Sequence, residues 1–150
     1  MFEGFKARHL AATGADIYLR IGGGGPPVLL LHGYPQTHVC WHHVAPALAE
    51  DFTVVVADLR GYGDSSCPEA GDDFSGYAKR TMAADMVGVM EALGFERFAL
   101  IGHDRGARVT YRMALDHPEV VTRMMSLDVV PTLDMWEGTD KARAIGAFHW

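Results

Sequence analysis

The run Ala99-Leu100-Ile101-Gly102-His103-Asp104-Arg105-Gly106-Ala107-Arg108 decides the reading of the whole chain. A short apolar strand, Arg97–Ile101, runs into Gly102-x-Asp104-x-Gly106, and a helix over Gly106–His117 follows at once. Small residues on either side of a polar one, between strand and helix, are the pattern of a nucleophile elbow, a tight turn that lifts one side chain above the end of a sheet. Serine is the usual occupant, and here it is Asp104. A carboxylate is ionised at neutral pH and attacks carbon without a base, so the residue suits displacement of a leaving group through an ester and argues against an ordinary esterase, lipase or protease. The alternative is that Asp104 merely caps the helix.

Around the elbow the pattern alternates strand and helix. Phe2–Leu10 and Ile17–Ile21 read as opening strands, and Val28–Leu31 and Thr53–Ala57 as strands buried on both faces. Trp41–Glu50 and Tyr77–Leu93 read as helices, the second carrying Met82, Met86 and Met90 as a core stripe and ending at Gly94. Met124–Asp128 reads as a fourth buried strand, and Leu133–Trp150 as weak helix. Such alternation predicts an α/β fold with a mostly parallel sheet, helices on both faces, and chemistry at the carboxyl ends of the strands.

Those ends carry the candidate site. Arg105 and Arg108 share one helix face in the first turn, where the positive end of the helix dipole disfavours cations. Asp104 offsets one of them, and a bound carboxylate would offset the other; the alternative is two surface arginines. Arg112 is expected to pair with Asp116. His32-Gly33-Tyr34-Pro35 follows the first buried strand, where backbone N–H groups of Tyr34 and Arg105 would form an oxyanion hole. His32 is expected to hold the turn, and Asp58–Ser65 to be a structural loop with its charges internally paired. Asp128 stands at the end of the fourth strand, where an acid could orient a histidine, or could cap a helix.

The 150 residues suit one domain, with 49% hydrophobic and 21% charged residues. Thirteen basic against nineteen acidic residues give a net charge of −6, which disfavours nucleic acid and anionic membrane as partners. No apolar run approaches a membrane span, and Met1–Arg8 shows no leader-like apolar region, so a cytoplasmic protein is expected. Cys40 and Cys67 make neither a disulfide framework nor a zinc set.

Together these motifs resemble the α/β-hydrolase fold and, within it, the branch with an Asp nucleophile: haloalkane dehalogenases, epoxide hydrolases and fluoroacetate dehalogenases. The likeness runs from about residue 2 to residue 150. His32–Pro35 and Asp58–Ser65 are common to the branch. Position 105 discriminates, since haloalkane dehalogenases and epoxide hydrolases generally carry Trp there, whereas His103-Asp104-Arg105-Gly106-Ala107-Arg108 resembles the fluoroacetate dehalogenase signature, with Ala107 where Gly is common. The resemblance implies Asp104 as nucleophile, Arg105 and Arg108 as the clamp on the substrate carboxylate, Asp128 as the acid of the catalytic pair, and His149-Trp150 as halide-binding residues of a helical cap. It implies no cofactor and no metal. The partners are then a haloacid and water, and a homodimer of the intact protein is compatible with it.

The resemblance also implies a general-base histidine beyond this chain. His103 is expected to face away from the site as a structural residue. Residues 1–131 correspond to the N-terminal portion of the hydrolase core and 132–150 to the start of the cap, the C-terminal part of the fold being absent. Hydrolytic dehalogenation of a short 2-haloacid is the expected activity. Epoxide hydrolysis is the alternative within the branch, and a non-catalytic fragment binding small carboxylates is the alternative outside it.

Overall fold

The computed structural model describes residues 1–146. Its strands are β1 (Lys6–Ala11), β2 (Asp16–Gly23), β3 (Pro27–Leu31), β4 (Thr53–Ala57), β5 (Phe98–His103) and β6 (Val121–Leu127). The helices are α1 (Val44–Leu48), α2 (Lys79–Ala92), α3 (Arg105–Asp116), α4 (Thr132–Glu137) and α5 (Lys141–Gly146), with short 3-10 turns at His38–Trp41 and Ser75–Tyr77. One six-stranded sheet has the order β1-β2-β4-β3-β5-β6. The β1–β2 and β2–β4 pairs are antiparallel, and the β3–β4, β3–β5 and β5–β6 pairs are parallel.

Alternation along the central strands builds two cores. Leu29, Leu31, Val55, Ala57 and Leu100 point to the face covered by α2 and α3, where Met82, Met86, Met90, Val109 and Met113 meet them. Val28, Leu30, Val54 and Val56 point to the other face, against Phe2, Trp41 and Ala45. These strands are apolar throughout because both of their faces are covered. The methionine stripe is core, as its four-residue spacing predicts. Gly94, at φ +85°, ends α2: its N–H donates to the Glu91 carbonyl and that of Phe95 to the Met90 carbonyl.

Four expectations change. The first strand begins at Lys6 rather than Phe2, since Phe2 and Gly4 take positive φ and make a turn. The helix expected over Trp41–Glu50 is divided between the 3-10 turn and the five-residue α1. Leu133–Trp150 yields two short helices parted at Gly138, as far as the described residues go. The strand expected over Met124–Asp128 is not buried: β6 spans Val121–Leu127, is exposed along most of its length, and pairs only with β5 among the described residues. Met124, Met125 and Leu127 therefore meet solvent. No helix among the described residues is long and apolar enough to cross a membrane.

Arg60 shows how the loop after β4 is secured. Its guanidinium is buried and grips Asp85 of α2 with two hydrogen bonds of 2.6 and 2.5 Å. It also donates to the carbonyls of Gly76 and Thr13, both at 2.7 Å. Burial raises the Asp85 carboxyl above its ordinary value and the guanidinium opposes that shift. The partner thus lies outside the loop, on α2. A lysine cannot reproduce this planar four-bond grip. Arg60→Lys is expected to destabilise the protein by about 1.5–3 kcal/mol, a fall in Tm of roughly 3–12 °C. An unchanged melting temperature would refute that account of the loop.

Candidate active site

The parallel register brings four strand ends to one edge of the sheet. Leu31 pairs with Ala57 and with Gly102, and His103 pairs with Leu127. The segments beginning at His32, Asp58, Asp104 and Asp128 therefore leave the sheet side by side.

Asp104 occupies the turn between β5 and α3 with φ 48° and ψ −115°. A non-glycine residue held there is strained, and the surroundings enforce it. A Cβ on Gly106 would run into the carbonyls of Leu31 and His32, and one on Gly102 would meet the backbone of Gly106 and Ala107. The helix can therefore approach the sheet closely only with glycine at both positions. The Asp104 side chain makes no capping hydrogen bond to α3. Instead the Tyr34 N–H donates to its Oδ2 at 2.8 Å, so the carboxylate sits against the loop that follows β3. Sequence reading assigned that N–H to an oxyanion hole, and in this state it holds one oxygen of the carboxylate itself.

Arg105 and Arg108 follow Asp104 in the first turn of α3. The Arg105 guanidinium lies over the Tyr34 ring at 4.9 Å and donates to the Tyr62 hydroxyl at 3.4 Å. Arg108 donates to the Thr132 hydroxyl at 2.9 Å and lies 3.4 Å from the Met135 sulfur, which ties α3 to α4. Burial lowers the Arg108 value; Asp104 opposes the shift and Arg105 adds to it. Beside Arg108 is a recess of about 210 Å³ lined by Tyr111, Met124, Val130 and Thr132 among others. Asp104 is not part of that lining, so the recess lies to one side of that carboxylate.

Lys79, at the start of α2, joins this cluster and was missed in the sequence. Its ammonium is pushed below the ordinary lysine value first by burial and then by Arg105 and Arg108, with Asp104 opposing. Its hydrogen-bond contact is the Met82 sulfur at 3.8 Å. Nothing local in Tyr77-Ala78-Lys79-Arg80 marks it, because only the packing of α2 on α3 brings it to the elbow. Arg112 does pair with Asp116, which also binds Arg80, and the two guanidinium groups hold its carboxyl down to about 2.

His32 and Asp58 are buried supports. The Leu59 N–H donates to His32 Nε2 at 3.1 Å and His32 Nδ1 lies 2.9 Å from the Gly33 carbonyl, a neutral imidazole with its proton on Nδ1. Burial lowers its basicity, consistent with that form. Asp58 accepts from the N–H groups of His38 and Asp64 and from the His38 ring. His38, Asp58 and Asp64 form the one grouping of potential metal ligands among the described residues. Both Asp58 oxygens are already used to fasten the loops, so the set reads as a structural knot.

His103 does not face away. Its Nδ1 lies 3.0 Å from Gln36 Oε1 and its Nε2 3.9 Å from Asp128 Oδ2, on the side of the sheet edge where the other site segments emerge. The expectation failed because β5 ends at His103 and the chain turns into the elbow there, so strand alternation no longer sets the direction of the side chain. Asp128 itself is exposed, with φ 54°. His149 and Trp150 lie outside the described residues.

Residues 26–149 match the family model for the alpha/beta hydrolase fold. The chain belongs to the α/β-hydrolase family. A fluoroacetate dehalogenase from Burkholderia sp is 50% identical over all 150 residues, which cover 49% of that protein. A soluble epoxide hydrolase from Corynebacterium sp. (strain C12) is 40% identical over 133 residues, 89% of this chain and 41% of that one. A crystal structure from Nostoc sp PCC 7120, described as an alpha/beta hydrolase, superposes with a TM-score of 0.97 at 53% identity, covering all of this chain and 52% of that one. This α/β-hydrolase chain spans about half the length of these relatives, and the exposed β6 is where its sheet stops among the described residues.

Proposed function

We propose that the full-length protein hydrolyses the carbon–halogen bond of a short 2-haloacid such as fluoroacetate, giving glycolate and halide. The observation that carries the reading is a carboxylate, Asp104, lifted on the strained turn before α3, with two arginines, Arg105 and Arg108, in the first turn of that helix. A 50% identical fluoroacetate dehalogenase supports it. Arg105 and Arg108 hold the substrate carboxylate. A carboxylate oxygen of Asp104 attacks the carbon bearing the halogen, and the halide leaves with the bonding pair. His149 and Trp150 donate hydrogen bonds to it. A histidine beyond residue 150, oriented by Asp128, takes a proton from water, and the hydroxide adds to the ester carbonyl. The oxyanion is held by the N–H groups of Tyr34 and Arg105, and its collapse releases glycolate and restores the Asp104 carboxylate.

The similarity to the Corynebacterium epoxide hydrolase favours a second reading, opening of an epoxide by the same carboxylate. An epoxide offers Arg105 and Arg108 no substrate carboxylate to hold. Assay of the full-length protein with fluoroacetate and with styrene oxide separates the two: fluoride with glycolate is expected, and diol without fluoride would replace the first reading by the second.

Lys79 adds a third positive charge to the haloacid site without a place for direct chemistry. Lys79→Met is expected to raise KM for chloroacetate roughly three- to tenfold with kcat little changed, since long-range attraction acts on the bound and reacting acid alike. A loss confined to kcat would count against this role. Its lowered value means that the charge disappears at a lower pH than for an ordinary lysine, so the difference between the two proteins shrinks as the solution becomes alkaline.

A further inference from the structure

The structure points to a role for His103 in only one of the two chemical steps. We propose that His103 is a positioning residue for ester hydrolysis, its imidazole orienting the Asp128 carboxylate. The inference rests on the haloacid reading of the site and adds a residue to it.

Three observations meet at this ring. First, β5 and β6 end together. His103 pairs with Leu127, and the Asp104 N–H donates to the Leu127 carbonyl at 3.2 Å, so the residue after each strand is held beside the other. Second, the ring bridges two functional loops. Nδ1 is 3.0 Å from Gln36 Oε1, two residues beyond Tyr34 and its contact with Asp104, and Nε2 is 3.9 Å from Asp128 Oδ2. Third, Asp128 meets this ring. Its side chain is 92% exposed on a positive-φ residue, and the imidazole is the group that the described residues bring to it.

The chemistry of the bridge follows from the amide of Gln36. Gln36 turns its Oε1 to Nδ1, an acceptor that keeps a proton on that nitrogen and fixes the plane of the ring. With both ring nitrogens protonated, Nε2 presents a donor to Asp128 as well. At 3.9 Å this is an orienting attraction rather than a full hydrogen bond. Such an influence matters where the acid must hold one rotamer beneath a general base, and that requirement belongs to hydrolysis. Alkylation of Asp104 needs no base, so it should not respond.

Chloroacetate with the full-length protein separates the steps, with chloride release in the first turnover reporting alkylation and steady-state turnover reporting hydrolysis. His103→Asn keeps a donor near the Nδ1 position and loses the one at Nε2. It is expected to leave first-turnover chloride release within about twofold and to slow steady-state turnover roughly tenfold. A carboxymethyl ester should then accumulate on the Gly102–Arg108 peptide, visible by mass. His103→Gln, whose amide nitrogen reaches the Nε2 position, is expected to restore turnover. Equal slowing of both steps in either variant, as a folding defect would give, or unchanged turnover in His103→Asn, overturns the inference while leaving the haloacid reading intact. Absence of chloride from the unaltered protein overturns the haloacid reading itself.

Discussion

Asp104→Asn in the full-length protein is expected to abolish halide release, by a factor on the order of 10⁴ or more, with little change in folding. Asparagine has nearly the same shape, its carbonyl oxygen can still accept from the Tyr34 N–H now held at 2.8 Å by Asp104 Oδ2, and it is among the residues that tolerate positive φ. What it lacks is the anionic oxygen that forms the bond to carbon. In the haloacid reading Asp104 makes the covalent bond, so its loss removes the pathway and not merely a stabilising contact, which is why single nucleophile replacements are so severe. Two measurements check the result: halide release, and mass spectrometry for an ester on the peptide Gly102–Arg108. The protein should show neither, while keeping its melting temperature. Activity retained would mean that a different group attacks carbon.

Much of this arrangement is legible in the sequence because it is local. Gly102-x-Asp104-x-Gly106 places Asp104 between strand and helix, and the two glycines are required by close backbone contacts on either side. The runs Val28–Leu31 and Thr53–Ala57 are apolar without alternation because both of their faces are covered. What stayed hidden depends on distant packing. Lys79 reaches the elbow only because α2 lies on α3, and Arg60 finds Asp85 across 25 residues of chain. His103 was misread where regular strand geometry ends, and β6 was misread because Met124, Met125 and Leu127 look like core but meet solvent among the described residues. An apolar strand in sequence reports a surface that can be buried. Whether it is buried depends on what else pairs with the edge.

The second large effect is expected from Arg108→Ala. Arg108 stands in the first turn of α3 beside Arg105, where the helix dipole makes cations unfavourable, and burial lowers its basicity further. Two adjacent guanidinium groups in such a place suit an anionic substrate. In the haloacid reading that anion is the substrate carboxylate, paired with a planar guanidinium. Removing the guanidinium takes away one of the two cations that hold that carboxylate, a penalty of about 3–5 kcal/mol, or roughly two to three and a half orders of magnitude in kcat/KM for fluoroacetate. Arg105→Ala is expected to act in the same direction, with the added loss of its stacking on Tyr34. A neutral substrate isolates the charge. Chloroacetamide has the same reacting carbon and no carboxylate, so Arg108→Ala should lower kcat/KM for chloroacetate far more than for chloroacetamide. Equal losses on the two would mean that Arg108 shapes the pocket, through its bond to Thr132 and its contact with Met135, rather than binding the acid. Arg108→Lys divides the effect further: it keeps the charge and gives up the flat, two-pronged donor set. Partial recovery on chloroacetate would assign the remainder to geometry, because a lysine ammonium in the same place attracts the carboxylate but does not fix the direction in which its halogen-bearing carbon faces Asp104.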